Sequence, residues 1–387
     1  MVDKNSIKMI EKLVSFDTTS RLSNLALIEF IEGYLQKLGI KSTIVHSEDK
    51  KKANLYATLG DTNSPGIMLS GHTDVVPVDG QDWDTKPFEI ATSQDRLYGR
   101  GTSDMKGFIG IVLAQIPNFL NRKLKTPIHL AFSYDEEVGC IGVRRLLDVI
   151  KDAPTKPYMC IVGEPTSMEV VIGHKGKRSY DVSVRGLEAH SSLTPIGVNA
   201  IEYAAELITH LKYLADNFSS TGFRDALYDI PHTTVHTGII TGGTALNIVP
   251  KDCFFQFEFR YIEEDNPDEI ENGIKKYIDE ELIPKMHKIS ADTGITINCA
   301  NDMPSLNLKP EEEVVTFVKA LAGKNNHSKV AFGTEAGLFQ KRANIPTVVC
   351  GPGDIAQAHK PNEYIEIKQI EECEIFLSRL MDKVCES

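Results

Sequence analysis

Buried strand patterns alternate with helical ones along the first 160 residues, and that alternation confines the chain to an α/β fold built on a mostly parallel sheet. Apolar positions recur at helical spacing over residues 7–16 and 24–38, where Gly39 stops the second helix. Strand-like runs follow at residues 42–45, 54–59 and 67–69. A buried helix is expected over 109–120, and buried strands over 128–133 and 158–162. At Gly173-His174-Lys175-Gly176 the pattern changes. Strands at 179–184, 234–240, 254–262 and 295–299 enclose helices at 201–214 and 267–286, the order of a split βαβ unit. On the third of these strands Phe255, Phe257, Phe259 and Tyr261 take one face, and Gln256, Glu258 and Arg260 the other. The α/β pattern resumes after Pro304, with a helix at 311–321, a strand at 347–350 and a last helix at 370–384. A chain of 387 residues exceeds one ordinary core. Residues 1–176 and 301–387 are therefore read as one domain, and 177–300 as an inserted ferredoxin-like α+β domain.

Composition narrows the function classes. A formal net charge of -12 argues against a phosphate-binding groove, so no nucleic-acid partner is expected. The seven cysteines are odd in number and form no C-x-x-C pair, which disfavours a disulfide framework and a thiolate metal site and makes a reducing cytoplasm the default. The first residues lack the apolar core of a signal peptide, and no stretch approaches a membrane span.

The chemistry-bearing residues gather where open α/β sheets place their ligands, at the carboxyl ends of strands. His72-Thr73-Asp74 follows the run Ile67-Met68-Leu69, and Asp74, two residues on, can reach back to the imidazole of His72. Asp104 opens the 109–120 helix, Asp135-Glu136-Glu137 ends the 128–133 strand, Glu164 ends the 158–162 strand, and His359 follows Gly351-Pro352-Gly353. Singly, each has a plain structural reading: a helix cap, a solvated acidic turn, a loop before proline, a loop histidine. Together, two histidines and three carboxylates match a pair of divalent ions sharing a bridging carboxylate. Glu136 adjoins Glu137, and neighbouring side chains diverge, so one acid can bind metal while the other serves as general base.

These residues resemble the metallopeptidase M20 family. The motifs Ser70-Gly71-His72-Thr73-Asp74-Val75-Val76-Pro77 and Gly101-Thr102-Ser103-Asp104-Met105-Lys106-Gly107 carry the resemblance, with the Glu136-Glu137 pair, Gly163-Glu164-Pro165-Thr166 and His359 in family order. The resemblance implies a dinuclear zinc-hydrolase catalytic domain, with cobalt as a substitute metal. His72 and Glu164 would hold one zinc, Glu137 and His359 the other, with Asp104 bridging. Asp74 would orient His72, Glu136 would be the base for a hydroxide shared by the two ions, and the Asp104–Met105 peptide would be cis. The inserted domain is similar to the family's lid, which carries the homodimer contact. There His190, within 186–192, would steady the oxyanion, while Asn247 and Arg260 would bind the substrate carboxylate.

Within the family, residues 351–364 and Thr334-Glu335-Ala336 resemble the acetylornithine deacetylases. Desuccinylases carry an arginine where Leu338 stands, and the charge of Glu335 suits a free side-chain ammonium, which places Thr334 and Glu335 among the expected substrate contacts. The resemblance implies hydrolysis of N2-acetyl-L-ornithine to L-ornithine and acetate, a step of arginine biosynthesis, on a small N-acyl amino acid substrate. The alternatives are a succinyl-diaminopimelate desuccinylase, a broad aminoacylase, a dipeptidase, or an M20-like protein without chemistry.

Overall fold

Every residue of the strand Ile67–His72 is buried, and the strand lies inside a nine-stranded sheet. In the computed structural model, which describes residues 2–153 and 155–386, the sheet runs Ser42–His46, Ala53–Leu59, Ile128–Ser133, Ile67–His72, Met159–Val162, Thr347–Val349, Val171–His174, Leu306–Asn307, and the ninth strand, Ser328–Val330, pairs with Val171–His174 off this path. Ile67–His72 is parallel to both its neighbours, and Met159–Val162 is parallel to Thr347–Val349. Against the sequence-based expectation, the sheet is mixed, not mostly parallel. Ala53–Leu59 runs antiparallel to Ser42–His46 and to Ile128–Ser133. Residues 47–52 are too short a connection for a parallel crossover and suit a hairpin instead.

The chain divides into two units. The first runs to Gly173 and resumes over Leu306–Lys329 and from Thr334; the second is His174–Ser305 with Val330–Gly333. In the first unit the helix Lys106–Leu120 is buried nearly all round, as expected of an apolar helix without a polar face. It shares one core with the helices Lys4–Val14, Leu25–Lys37, Glu313–Ala322 and Ile367–Val384 and with the central strands. A small sheet of Ala91–Ser93, Arg96–Tyr98 and Tyr364–Glu366 brings the end of the chain beside residues 96–104. Neither it nor the helices Val143–Asp152 and Ala336–Ala343 are among the elements expected from sequence.

The second unit is a four-stranded antiparallel sheet in the order Thr234–Gly242, Asp252–Tyr261, Gly176–Arg185, Gly294–Met303. Phe255, Phe257, Phe259 and Tyr261 are buried in its core with residues of the helices Ala200–Thr221 and Pro267–Tyr277. The helix expected over 267–286 is interrupted: Pro267–Tyr277 passes through a π-type turn, Ile278–Leu282, before Ile283–His287. Pro284 has no N–H to continue an α-helical ladder, and the wider turn accommodates it. Among the described residues, no helix is long and apolar enough to cross a membrane.

Candidate metal centre

The parallel strands deliver their ends to one place. His72 is the last residue of its strand, and Glu164 lies two residues beyond Met159–Val162. His72 Nε2 is 2.9 Å from Asp104 Oδ1 and 3.7 Å from Glu164 Oε1. His359 Nε2 is 3.0 Å from Glu137 Oε2 and 3.3 Å from Asp104 Oδ2. Asp104 thus faces both histidines, one with each oxygen. The Asp104–Met105 peptide is cis.

Asp74 organises this cluster from behind. Its carboxylate accepts hydrogen bonds from Ser20 Oγ (2.7 Å), Glu136 N (3.1 Å) and Glu137 N (3.3 Å). The ring of His72 is held differently from expectation. Its Nδ1 lies 2.9 Å from the backbone oxygen of Asp74, nearer than the carboxylate at 3.6 Å. The next acid, Asp135, turns away and pairs with Lys52 at 2.5 Å. Glu136 accepts from the Cys140 thiol at 3.4 Å.

Burial, with repulsion from the neighbouring acids, raises the proton affinity of three of the four acids, Glu136, Glu137 and Glu164. Burial, reinforced by Glu137 and Glu335 and opposed by His72, drives Glu136 well above the carboxylate range. Burial likewise raises Glu164, and it pushes Glu137 up to about 7 with help from Asp104. For Asp104, burial is outweighed by hydrogen bonds from His359 and His72, and its carboxyl falls below the usual range. Hydrogen bonds to Asp104 and Glu137 lift His359 to about 10.

Among the described residues, ligand atoms of His72, Glu136 and Glu164, and of His72, Asp104 and Glu137, lie within 4.8 Å of one another. Glu137 Oε1 is buried with no hydrogen-bond partner. An orphaned acceptor among carboxylates and imidazoles is what a divalent cation would satisfy, so the residues fit the metal chemistry. Residues 68–383 match the peptidase family M20/M25/M40.

The chain belongs to that family.

It is a metal-dependent hydrolase. It is 32% identical over 371 residues to the acetylornithine deacetylase of Proteus mirabilis, spanning 95% of this chain and 92% of that one. Among solved structures it resembles the aminopeptidase PepT of Bacillus cereus (TM-score 0.76, 18% identity, 99% of each chain). It also resembles a dinuclear metal-binding M20 peptidase of Bacillus subtilis (TM-score 0.64, 14% identity, 98% and 97% of the chains).

The remaining expected residues are enclosed in the first unit or belong to the second. Thr334 is fully buried, and its Oγ1 accepts from Ala336 N at 3.1 Å, just ahead of the helix Ala336–Ala343. Glu335 is 1% exposed, and burial pushes its carboxyl up to about 7 against the opposing effect of Ser133. So enclosed, the carboxyl is not open to a substrate ammonium. In the second unit, His190 Nδ1 lies 2.8 Å from Ser192 Oγ, and Ser191 N donates to Asn247 O at 3.0 Å, so His190 and Asn247 are neighbours. Val249 N, donating to Ala189 O, ties them to the start of Asp252–Tyr261. Arg260 stands at the far end of that strand, roughly 25 Å along at about 3.3 Å per residue, and its Nε donates to Glu258 Oε1 at 2.9 Å. Sequence reasoning missed Glu363. It is 1% exposed, and its carboxylate accepts from the backbone N–H of Asp104.

Proposed function

We propose that the chain hydrolyses the N-acetyl amide of N2-acetyl-L-ornithine, giving L-ornithine and acetate, as a cytoplasmic step of arginine biosynthesis. One observation carries the chemistry: a spare acid, Glu136, stands beside a cluster of two imidazoles and three further carboxylates. The substrate rests on the likeness to the Proteus mirabilis enzyme and on the resemblance by which Leu338 stands where desuccinylases carry an arginine.

His72, Asp104, Glu137, Glu164 and His359 are proposed to hold two zinc ions, replaceable by cobalt, which when bound polarise the acetyl carbonyl and acidify water. Glu136 takes a proton from the water that adds to the carbonyl carbon. It then delivers that proton to the ornithine nitrogen as the C–N bond breaks. Asp74 fixes the Glu136 backbone, and the Cys140 thiol fixes one carboxylate oxygen, leaving the other for the proton.

His190 steadies the developing oxyanion. One acetylornithine cannot reach His190 and Arg260 of the same chain across roughly 25 Å of strand. We therefore infer that one substrate takes His190 with Asn247 from one copy and Arg260 from the other copy of a homodimer, with the α-carboxylate on Asn247 or Arg260. Thr334 and Glu335 are left out of the contacts.

The test replaces Glu136 by Gln and measures turnover and bound zinc together. Turnover should fall about 10²- to 10⁴-fold with both zinc ions retained. Loss of zinc would make Glu136 a ligand and overturn the assignment.

A further inference from the structure

Asp104 and His359 come from distant parts of the chain, yet the contacts described above require them to stay about 3 Å apart. Glu363 lies between the segments that carry them. Its Oε2 accepts from Arg100 Nη1 (2.7 Å) and Gly101 N (3.0 Å), and its Oε1 from Ser103 N (2.9 Å) and Asp104 N (3.0 Å). Its backbone oxygen accepts from Gly99 N at 2.9 Å. The loop 99–104 is therefore wrapped around a single side chain. Gly101, at φ +86°, supplies the left-handed turn that this wrapping uses.

Arg100, also 1% exposed, continues the network outward. Its second guanidinium nitrogen donates to Gln81 Oε1 at 2.6 Å, and Gln81 Nε2 donates to the backbone oxygen of His359 at 3.0 Å. Trp83 Nε1 donates to the same Gln81 oxygen at 3.0 Å, and the guanidinium lies over the Trp83 ring, 5.1 Å from its centre. His359 and Asn362 both adopt left-handed backbone, at φ +62° and +56°. Asn362 is clamped by Asp84 through two hydrogen bonds, of 2.9 and 2.8 Å. One continuous set of hydrogen bonds thus runs from the amide of Asp104 to the carbonyl of His359.

We propose that Glu363, Arg100 and Gln81 are positioning residues that hold Asp104 and His359 in mutual register and so set the affinity of the centre for the metal those two ligands share. The proposal rests on the metal reading above. The three-residue network ends on the backbone of two of the proposed ligands, the Asp104 amide and the His359 carbonyl. Outer partners of metal ligands typically change affinity about 10- to 100-fold when removed. Glu363→Gln keeps the shape but points an NH2 group at two backbone N–H donors or at Arg100. Gln81→Ala is gentler. Gln81 is only partly buried, and its loss frees the His359 carbonyl, one Arg100 nitrogen and Trp83 Nε1 while leaving the four hydrogen bonds to the Glu363 carboxylate in place.

The experiment strips the full-length chain with a chelator and titrates it with zinc alone against a chromophoric competitor. The wild type should take up two zinc ions. Gln81→Ala should weaken one of the two about tenfold and leave the other unchanged, and Glu363→Gln should weaken binding about 10- to 100-fold. Wild-type zinc affinity in Gln81→Ala overturns the proposal, whatever Glu363→Gln does, including a failure to fold. A lowered melting temperature with unchanged affinity has the same consequence, since it marks a structural role. If the wild type binds zinc but hydrolyses no acyl amino acid, the proposed function fails while the titration still judges the clasp.

Discussion

Asp135, Glu136 and Glu137 are consecutive acids with three different surroundings: a lysine at 2.5 Å, a thiol at 3.4 Å and a histidine at 3.0 Å. What separates their chemistry is the turn that carries them, with Asp135 at φ +54° and the next two amides tethered to Asp74. A residue away from the cluster responds to pH in a simpler way. His129 is 2% exposed, stacks on Tyr56, and meets Tyr56 Oη and Thr58 Oγ1 at 2.9 and 3.0 Å through Nδ1, while Nε2 has no partner. Burial penalises its charged form and pushes its pKa down to about 4. The unfolded chain therefore binds the extra proton first, and stability present in full above about 6.5 is lost as pH falls toward 4. The loss amounts to about 3 kcal/mol at roughly 1.4 kcal/mol per pH unit. In denaturant titrations of the metal-free chain, His129→Gln should lose less stability than the wild type between pH 6.5 and 4, by up to that amount. Equal losses would contradict the assignment.

At the scale of elements, the strand Met159–Val162 and the helix Lys106–Leu120 meet at Gly163. A Cβ there would lie 2.1 Å from the ring of Phe108, a contact no side chain can make without displacing the helix. Gly163→Ala should cost about 1–3 kcal/mol, as overpacked cores do, read as a lowered melting temperature. Because Glu164 is the next residue, the same variant should bind zinc more weakly. The alternation along Asp252–Tyr261 was legible because each apolar side chain meets one core. The helix Val143–Asp152 carries an equally plain stripe, Val143, Leu146, Leu147 and Ile150, yet its start has no side-chain cap to announce it. Pro284 signalled a break that the apolar spacing around it concealed.

For the whole molecule, the cluster was legible because His72, Glu136, Glu137 and Glu164 follow strands of one sheet, whose ends face one rim, and Asp104 opens a helix beside it. Long-range facts were not legible. Glu363 acquires its partners only when Tyr364–Glu366 pairs with Arg96–Tyr98, and nothing local in Pro361-Asn362-Glu363 specifies that pairing. Glu335 reads as an exposed loop acid until the helix Ala336–Ala343 is placed, and that placement encloses it. Arg260 and His190 fit one substrate on paper, and the length of a single strand separates them. Substrate choice is therefore the property least fixed by local pattern. The direct measurement is steady-state hydrolysis by the zinc-restored wild type, after chelation, of N2-acetyl-L-ornithine, N-succinyl-diaminopimelate, N-acetylmethionine and a dipeptide. Acetylornithine should be the best substrate by at least about tenfold in kcat/KM, a difference of about 1.4 kcal/mol in transition-state binding. A higher kcat/KM for any of the other three would contradict the account.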